Sequence, residues 1–482
     1  MARTAVSAGA CAMLASASLY ASSTLPVTPP ARAEIAPDGS VSGIHDQTYL
    51  NLALPQPSWT VEESQAAEQR LTWPIFIHEV MVANLDYAAA RYTVDMAVAD
   101  AAAAKLLPNP TLSLGGSRDL TFHNKYGTGS DGKPALLRQV ESRSVGVDQT
   151  IEWWGKRKWR IKAADQALGA AAATLEDFLR NLKLDAAAAY ADALAAQRIV
   201  DRLRTAANFL DKLSSAQQIR FKAGDISRPD LLEAQVEQQE FMNDLSRAED
   251  DAETARFALS TFLGKNRGQT GFVVSGELRQ PVRDYQIENM IQEALTRRPD
   301  LIGLRFSRDA ADSGVELAKA SRIPDVDVGV SYAFNAGVVT NHPIDPTPND
   351  HQLTLSFAVP LPLFDRGQYA IAKATAAAHQ SQVQLASAEL HAEVDIRTAY
   401  TLYQSARKRV ASFDNGILKS ADELLEARRY GYQRGANSLL ELIDAQRADN
   451  QIRQDADQAQ SDLAKARIQL ERVTGFELAI TF

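Results

Sequence analysis

The sequence is poor in the features that mark most classes of large protein. One cysteine, Cys11, in 482 residues excludes a disulfide framework and any cysteine-built zinc cluster. The seven histidines are scattered, and none stands in an H-E-x-x-H motif or at ligand spacing, so no metal site is expected. There is no G-x-S-x-G, P-loop or Rossmann fingerprint, so neither a catalytic residue nor a cofactor is expected and the chain reads as a non-enzyme. No run reaches the ~20 apolar residues that a membrane-spanning helix requires. Positive charge is also in deficit. With 51 Lys and Arg against 60 Asp and Glu, the net charge of −9 argues against nucleic acid as a partner. Yet 45% hydrophobic residues are enough to fold, so the chain is not disordered.

What is present begins at the N-terminus. Arg3 precedes an Ala/Ser/Leu-rich stretch from Ala5 to Tyr20, and Ala31-Arg32-Ala33 forms an A-x-A pattern before Glu34. This order reads as a secretory signal peptide over 1–33, with Ala17 and Ala21 as alternative cleavage points. A disordered Ala-rich tail is the plainer alternative. Cleavage after Ala33 would remove Cys11, which has no leucine in the lipobox place, together with two arginines and no acidic residue. Residues 34–59, rich in proline and small polar residues, read as an extended segment without an assigned role.

The remainder is one unit written twice. Gly224, Ser227 and the run Asp230 to Gln235 reappear as Gly435, Ser438 and Glu441 to Gln446, 211 positions on, with Phe221 and Tyr432 at the same offset. Leu107-Pro108 and Ile323-Pro324 each close an Ala-rich helical stretch and open an alternating one. Gly155 and Gly367 each close a second alternating stretch. A unit of about 210 residues is far longer than the 20–50 of a solenoid repeat, so a single large module has been duplicated.

The first repeat spans 60–283 and the second 284–475, with a tail at 476–482. Strands are expected near 110–118 and 143–151, and again near 325–334 and 351–359, because apolar and polar residues alternate there. Polar loops separate each pair, Gly127 to Pro134 and Asn341 to Asp350. Proline-free long helices are expected over 156–222 and 368–434, each about 100 Å long if unbroken. Return helices follow over 228–263 and 438–474, and a short segment over 264–283 ends the first repeat. Such lengths call for coiled-coil packing, and abundant alanine permits close approach on more than one face. The fold class is mainly α with a small β part.

Four strands cannot close a membrane barrel, and their open edges cannot face lipid. If they enter a membrane, copies of the chain must pool them, giving eight strands from two copies or twelve from three. Trp153, Trp154 and Trp159, interleaved with Lys156, Arg157, Lys158 and Arg160, sit where strand becomes helix. Two readings stay open for them, a membrane-interface belt or a tryptophan cluster at the base of a hairpin.

The duplicated order of helix, two strands, long helix and return helix resembles the TolC-type outer-membrane efflux family. The resemblance is carried by Leu107-Pro108, Trp154-Gly155-Lys156-Arg157, Phe221 through Gln235, Arg297-Arg298-Pro299-Asp300-Leu301, Ile323-Pro324, Val359 through Asp365, and Tyr432 through Gln446. It implies a homotrimer with a twelve-stranded outer-membrane β-barrel continued by a periplasmic α-helical barrel. It also implies a passive exit duct in a tripartite efflux system, served by a periplasmic adaptor and an inner-membrane pump of the proton-driven resistance-nodulation-division type. Ile151 through Arg157 looks most like the heavy-metal (cobalt–zinc–cadmium) branch.

In that family the turns between long and return helices form the periplasmic tunnel mouth, where the adaptor docks. Here these tips carry Gly224, Ser227, Gly435 and Ser438. Asp230 with Glu233, and Glu441 with Asp444, lie three apart and share a helix face. Around a trimer they would form acidic rings that favour cations, while first-turn carboxylates also suit the helix dipole without any pore. By resemblance Asp230 and Tyr432 tie neighbouring helices together in the closed tunnel, and Asn437 stands where the best-known member has an arginine. The rival from another class is an exported coiled-coil scaffold or periplasmic adaptor without a pore. Such an adaptor would carry one helical hairpin and no membrane-grade strand pairs.

Overall fold

The computed structural model describes residues 69–118, 125–128, 134–137, 141–264, 271–279, 281–336, 350–475 and 482. The expected signal peptide and the 34–59 segment lie outside the described residues, as do most of the two inter-strand loops and 476–481.

The first repeat opens with strand β1 (Gln69–Thr72) and helices α1 (Trp73–Ala83) and α2 (Leu85–Ala104). Strands β2 (Thr111–Arg118), β3 (Lys125–Thr128), β4 (Pro134–Leu137) and β5 (Glu141–Ile151) follow, with β3 and β4 forming their own small hairpin. Helix α3 (Lys156–Ala223) then runs without interruption into the tip turn, and α4 (Arg228–Phe262) returns from it. Strand β6 (Phe272–Ser275) ends the repeat. The second repeat replaces the opening with α5 (Ile287–Arg297) and α6 (Pro299–Ser321), then gives β7 (Val326–Ala336) and β8 (Asp350–Ala358). Its long helix comes in two parts, α7 (Gln368–Ser412) and α8 (Leu418–Gln433), before α9 (Leu439–Thr474) returns.

Two features differ from expectation. The helix expected over 368–434 is divided by a π-turn at Phe413–Ile417, where Gly416 leaves the helical conformation. Glycine forfeits helix propensity, and one inserted residue in the hydrogen-bond ladder is a usual cause of a local break. The 264–283 segment also contributes β6, which pairs in parallel with β1 from two hundred residues earlier. Four-residue strands carry too little alternation to announce themselves.

That small pair anchors the most extensive buried cluster among the described residues. The Tyr190 hydroxyl lies 2.9 Å from the carbonyl oxygens of Leu71 and Ser275, one on each strand. Around it pack Trp73, Phe76 and Phe482, with ring centroids 5.3–5.5 Å from the tyrosine ring. Burial pushes the Tyr190 phenol up to about 12.

The principal sheet runs in the order β2-β5-β7-β8, antiparallel throughout. Its register sorts the side chains cleanly. Leu112, Val147, Val330 and Leu355 form one row across four strands, and Leu114, Val145, Tyr332 and Leu353 the next. All eight are exposed, so the chain presents a lipid-grade apolar face. The opposite face carries Ser113, Gly146, Ser331 and Thr354 in one row and Thr111, Asp148, Gly329 and Ser356 in another. It is crowded: a Cβ on Gly146 would lie 2.7 Å from Ser113 Oγ and 3.1 Å from Ser331 Cβ. That crowding suits the serines and glycines of these rows.

The helices beneath repeat the strand order. Helix α2 packs on α3, α3 on α6, and α6 on α7, matching β2-β5-β7-β8 one for one. The α3–α6 contact is close because Gly169 faces Phe306 and Gly303 faces Ala173. Gly169→Ala tests which effect governs this contact. Alanine gains about 1 kcal/mol of helix propensity, but its Cβ would sit 2.9 Å from the Phe306 ring, and overpacking costs about 1–3 kcal/mol. The expected result is a lower melting temperature, restored when Phe306→Leu is added.

Candidate functional site

The two tips are built alike. Helix α3 ends at Gly224, whose φ of 84° lets its N–H and that of Asp225 reach back to carbonyls of Phe221 and Arg220. Ser227 then opens α4 with a capping box. Its Oγ accepts from the Asp230 N–H, while its own N–H donates to the Asp230 carboxylate at 3.1 Å. Ser438 and Glu441 do the same for α9, at 3.2 and 3.1 Å. Asn437 Nδ2 also donates to Glu441 at 2.6 Å, and Arg428 stands 3.4 Å from the same carboxylate. Together the Asn437 amide, the Ser438 N–H and Arg428 hold Glu441 below the usual carboxylate range.

The second tip folds over Gly431. Its carbonyl receives the N–H groups of Arg434, Ala436 and Asn437, and a Cβ there would collide with the Asn437 side chain. Asn437, which by the resemblance stands in place of an arginine, thus closes this turn. Next to it, Tyr432 ties α8 to α3: its hydroxyl oxygen meets the buried Gln217 amide and accepts from Arg220 at 3.1 Å. Either orientation of the Gln217 amide preserves the tyrosine contact. Asp230 is not brought to Tyr432. Its Oδ2 binds Ser227 instead, so in this structure the inter-helix tie runs through Gln217. Glu233 is half-buried and Asp444 exposed on their return helices.

The apolar support is unequal. Helices α3 and α4 share a buried cluster of nine residues including Leu210, Phe241 and Leu245, whereas the α8–α9 tip buries only Leu425, Leu442 and Ala445 together. Ion pairs compensate along α9. Lys465 pairs with Asp192, Arg472 with Asp185 and Arg202 with Asp457, all joining α9 to α3, while Arg453 reaches Asp422 on α8. Near the tip, Arg447 crosses to Glu237 and Glu240 on α4. Glu237 is buried, and its desolvation outweighs the pull of Arg447, so its carboxyl stands above the ordinary range. No motif signalled these partners, which, Arg453 and Asp422 apart, lie more than two hundred positions from one another.

At the sheet end, the basic-aromatic segment is spent on structure. Arg157 donates to the Lys105 carbonyl and Arg160 to those of Ala104 and Leu106, so both cap the C-terminus of α2. Arg160 also forks onto Glu152 at 2.5 and 2.9 Å, holding that carboxyl low, and the buried Lys156 pairs with Asp325 at 2.7 Å. Trp153 Nε1 donates to the Pro324 carbonyl at 2.7 Å, joining the two repeats. Trp154 is exposed at a positive φ of 62° before Gly155, and Trp159 is half-buried with Lys158 and Lys162 near its ring. Trp153 is thus bonded at the hairpin base yet still exposed, and Trp154 is the more exposed of the two.

Among the described residues no group of three His, Cys, Asp or Glu side chains could hold a metal ion, and no helix is long and apolar enough to cross a membrane. The described polar face of the principal sheet carries Asp148 and Asp327.

The outer membrane efflux protein family profile matches residues 76–265 and 290–476, one stretch in each repeat. The pyoverdine export outer membrane protein OpmQ of Pseudomonas putida is 27% identical over 473 residues, covering 94% of this chain and 95% of that protein. The cobalt-zinc-cadmium resistance protein CzcC of Cupriavidus metallidurans is 23% identical over 364 residues, covering 76% and 80%. The crystal structure of the Campylobacter jejuni CmeC outer membrane channel aligns with a TM-score of 0.67 over 87% of this chain and 90% of that one, at 15% identity, a likeness of fold.

The buried Glu237 gives a pH test of the tip. A carboxyl raised in the folded state contributes stability at low pH that is lost as pH rises through its raised value. Glu237→Gln is therefore expected to melt higher than the parent at pH 7.5, the gap closing near pH 4. A lower melting temperature at pH 7.5 would mean that the Arg447 pairing outweighs burial.

Proposed function

The chain belongs to the outer membrane efflux protein family, non-enzymatic outer-membrane channels of tripartite systems with a periplasmic helical tunnel, and we propose that it is a passive exit duct for small cationic cargo. TolC-family channels are homotrimers. One observation carries the duct reading: a four-stranded sheet with two open edges lies above a row of helices in the same order, also open at both ends. Three such units supply twelve strands and twelve wall helices. The alternation of apolar and small polar rows gives a lipid-facing outside and a wet inside. The scaffold or adaptor reading leaves the apolar sheet face unexplained.

In this reading cargo arrives from a periplasmic adaptor and an inner-membrane pump of the resistance-nodulation-division type. The adaptor meets the tips, whose two capping boxes and two left-handed glycines, Gly224 and Gly435, give the turns a fixed form. Glu233 and Asp444, with Asp230 and Glu441 doubling as caps, surround the mouth with carboxylates that draw cations inward. Trp154 marks the membrane boundary. The gate is the α8–α9 hairpin, favoured by its thin apolar core and its tie through Tyr432.

Divalent metal cations are the first candidate cargo, in line with the name of the Cupriavidus relative and with the acidic mouth. An organic cargo of the kind the pyoverdine exporter is named for is the second reading, favoured by the longer match to that protein. Deleting the gene and challenging cells with cobalt, zinc and cadmium beside a drug panel separates them. Metal hypersensitivity rescued by the parent gene is expected, and retention of a secreted organic compound without metal sensitivity would favour the second cargo. For the gate, Tyr432→Phe removes bonds worth about 1–2 kcal/mol in the closed state. The open-to-closed ratio in planar bilayers should then rise roughly 5–30-fold, and unchanged conductance would count against Tyr432 as a latch.

A further inference from the structure

The duplication left the two strand-to-helix junctions unequal. Gly155 and Gly367 both take a φ of 74° and open the long helices α3 and α7. Setting one glycine on the other places Arg160 against Ala372, Trp159 against Ile371 and Trp154 against Arg366. Leu106 and Arg322 correspond likewise, each directly before an apolar residue and a proline.

In the first repeat the gap between the end of α2 and the start of α3 is bridged. Arg160 crosses it to the carbonyls of Ala104 and Leu106, and Glu152 neutralises its guanidinium. In the second repeat Ala372 has no side chain that could cross to α6. A cavity of about 610 Å³ opens there, between the end of α6 and the start of α7. The helices remain close, since a Cβ on Gly367 would lie 3.6 Å from the Arg322 backbone.

The cavity walls divide by chemistry. Arg322 and Arg366 supply two guanidinium groups, while Leu363, Phe364, Ile371 and Ala372 supply apolar surface. The acids nearest in sequence are engaged elsewhere: Asp365 accepts from the Gly367 N–H at 2.9 Å, and Asp325 pairs with Lys156. Apolar exposure continues from β8 down to this point through Val359, Leu361 and Leu363, and Phe364 is 94% exposed. Such side chains suit the end of a lipid-facing surface and not a wet lumen.

We infer that this cavity binds one anionic phospholipid of the periplasmic leaflet, with its phosphate held between Arg322 and Arg366. The inference rests on the duct reading, which sets the junction at the membrane surface. A guanidinium fork meets phosphate oxygens in two parallel bonds, and basic pockets between helices at a membrane surface favour anionic headgroups. The volume lies within the roughly 300–1,000 Å³ of small-molecule sites. It admits a headgroup, and the acyl chains run out over Leu363 and Phe364. Because α6 and α7 belong to the same chain, each copy holds one complete site.

Native mass spectrometry of the full chain in detergent tests this, with dioleoyl phosphatidylglycerol added to lipid-stripped protein. One retained lipid per copy is expected, with weaker retention of zwitterionic phosphatidylcholine. Arg322→Gln combined with Arg366→Gln should weaken retention roughly 10–30-fold. Arg322→Lys with Arg366→Lys keeps both charges and should retain more lipid than the glutamine pair. Ala372→Phe fills the cavity, leaves the charges in place and should also lower retention. Equal retention by Ala372→Phe would put the lipid outside the cavity and overturn the site. Displacement by millimolar inorganic phosphate would make it a free-anion site and overturn the lipid assignment. Undiminished retention by the glutamine pair in an intact trimer overturns the site and leaves the duct reading standing. If that pair also changes cation selectivity in planar bilayers, the arginines face the lumen. A monomer in the native spectrum overturns the duct reading and this inference with it.

Discussion

Strands β2 and β8 each have a ladder neighbour within the chain on one side only. In water such edges are a manageable liability, but in hydrocarbon every unpaired N–H or C=O costs several kcal/mol. This requirement shapes the rest of the molecule. The apolar rows across four strands place the sheet in lipid, lipid forbids the open edges, and only further copies can pair them. Repeating the strand order in the helical row then turns closure of the sheet into closure of a wall.

The wall depends on close approach more than on large side chains. Alanine and a few glycines bring α3 and α6 together, as Gly169 against Phe306 shows. What small residues lose in buried area is offset by ion pairs running along α9 and by arginines that cap neighbouring helices. Arg157 and Arg160 illustrate this: their guanidinium groups are consumed by the carbonyls of Ala104, Lys105 and Leu106. Toward the tips the apolar contribution thins on the α8–α9 side, and there the structure relies on hydrogen bonds and buried charge. Those are the interactions that a docking partner or a change in protonation can most readily exchange.

Much of the candidate site was legible because it obeys local rules. Ser227-x-x-Asp230 and Ser438-x-x-Glu441 are capping boxes within four residues, and Gly224 and Gly435 end helices as left-handed glycines do. Side-chain partners were not legible. Tyr432 meets Gln217, 215 positions away, while the Asp230 Oδ2 is engaged by the serine cap. The break at Phe413–Ile417 was equally hidden, since one glycine in a long helix is ordinarily tolerated.

Periodicity and duplication, taken alone, determined the order of the long helices and of the four long strands, the strand faces and the resemblance to exit ducts. They did so because alternation, helix caps and chain reversals depend on residues near in sequence. Tertiary structure decided which edge each strand occupies, which carboxylates remain outward, and how far each of three tryptophans is buried. Those outcomes depend on register between helices whose contacting residues lie up to about three hundred positions apart. No local pattern encodes that register. The packing of small side chains against their neighbours sets it.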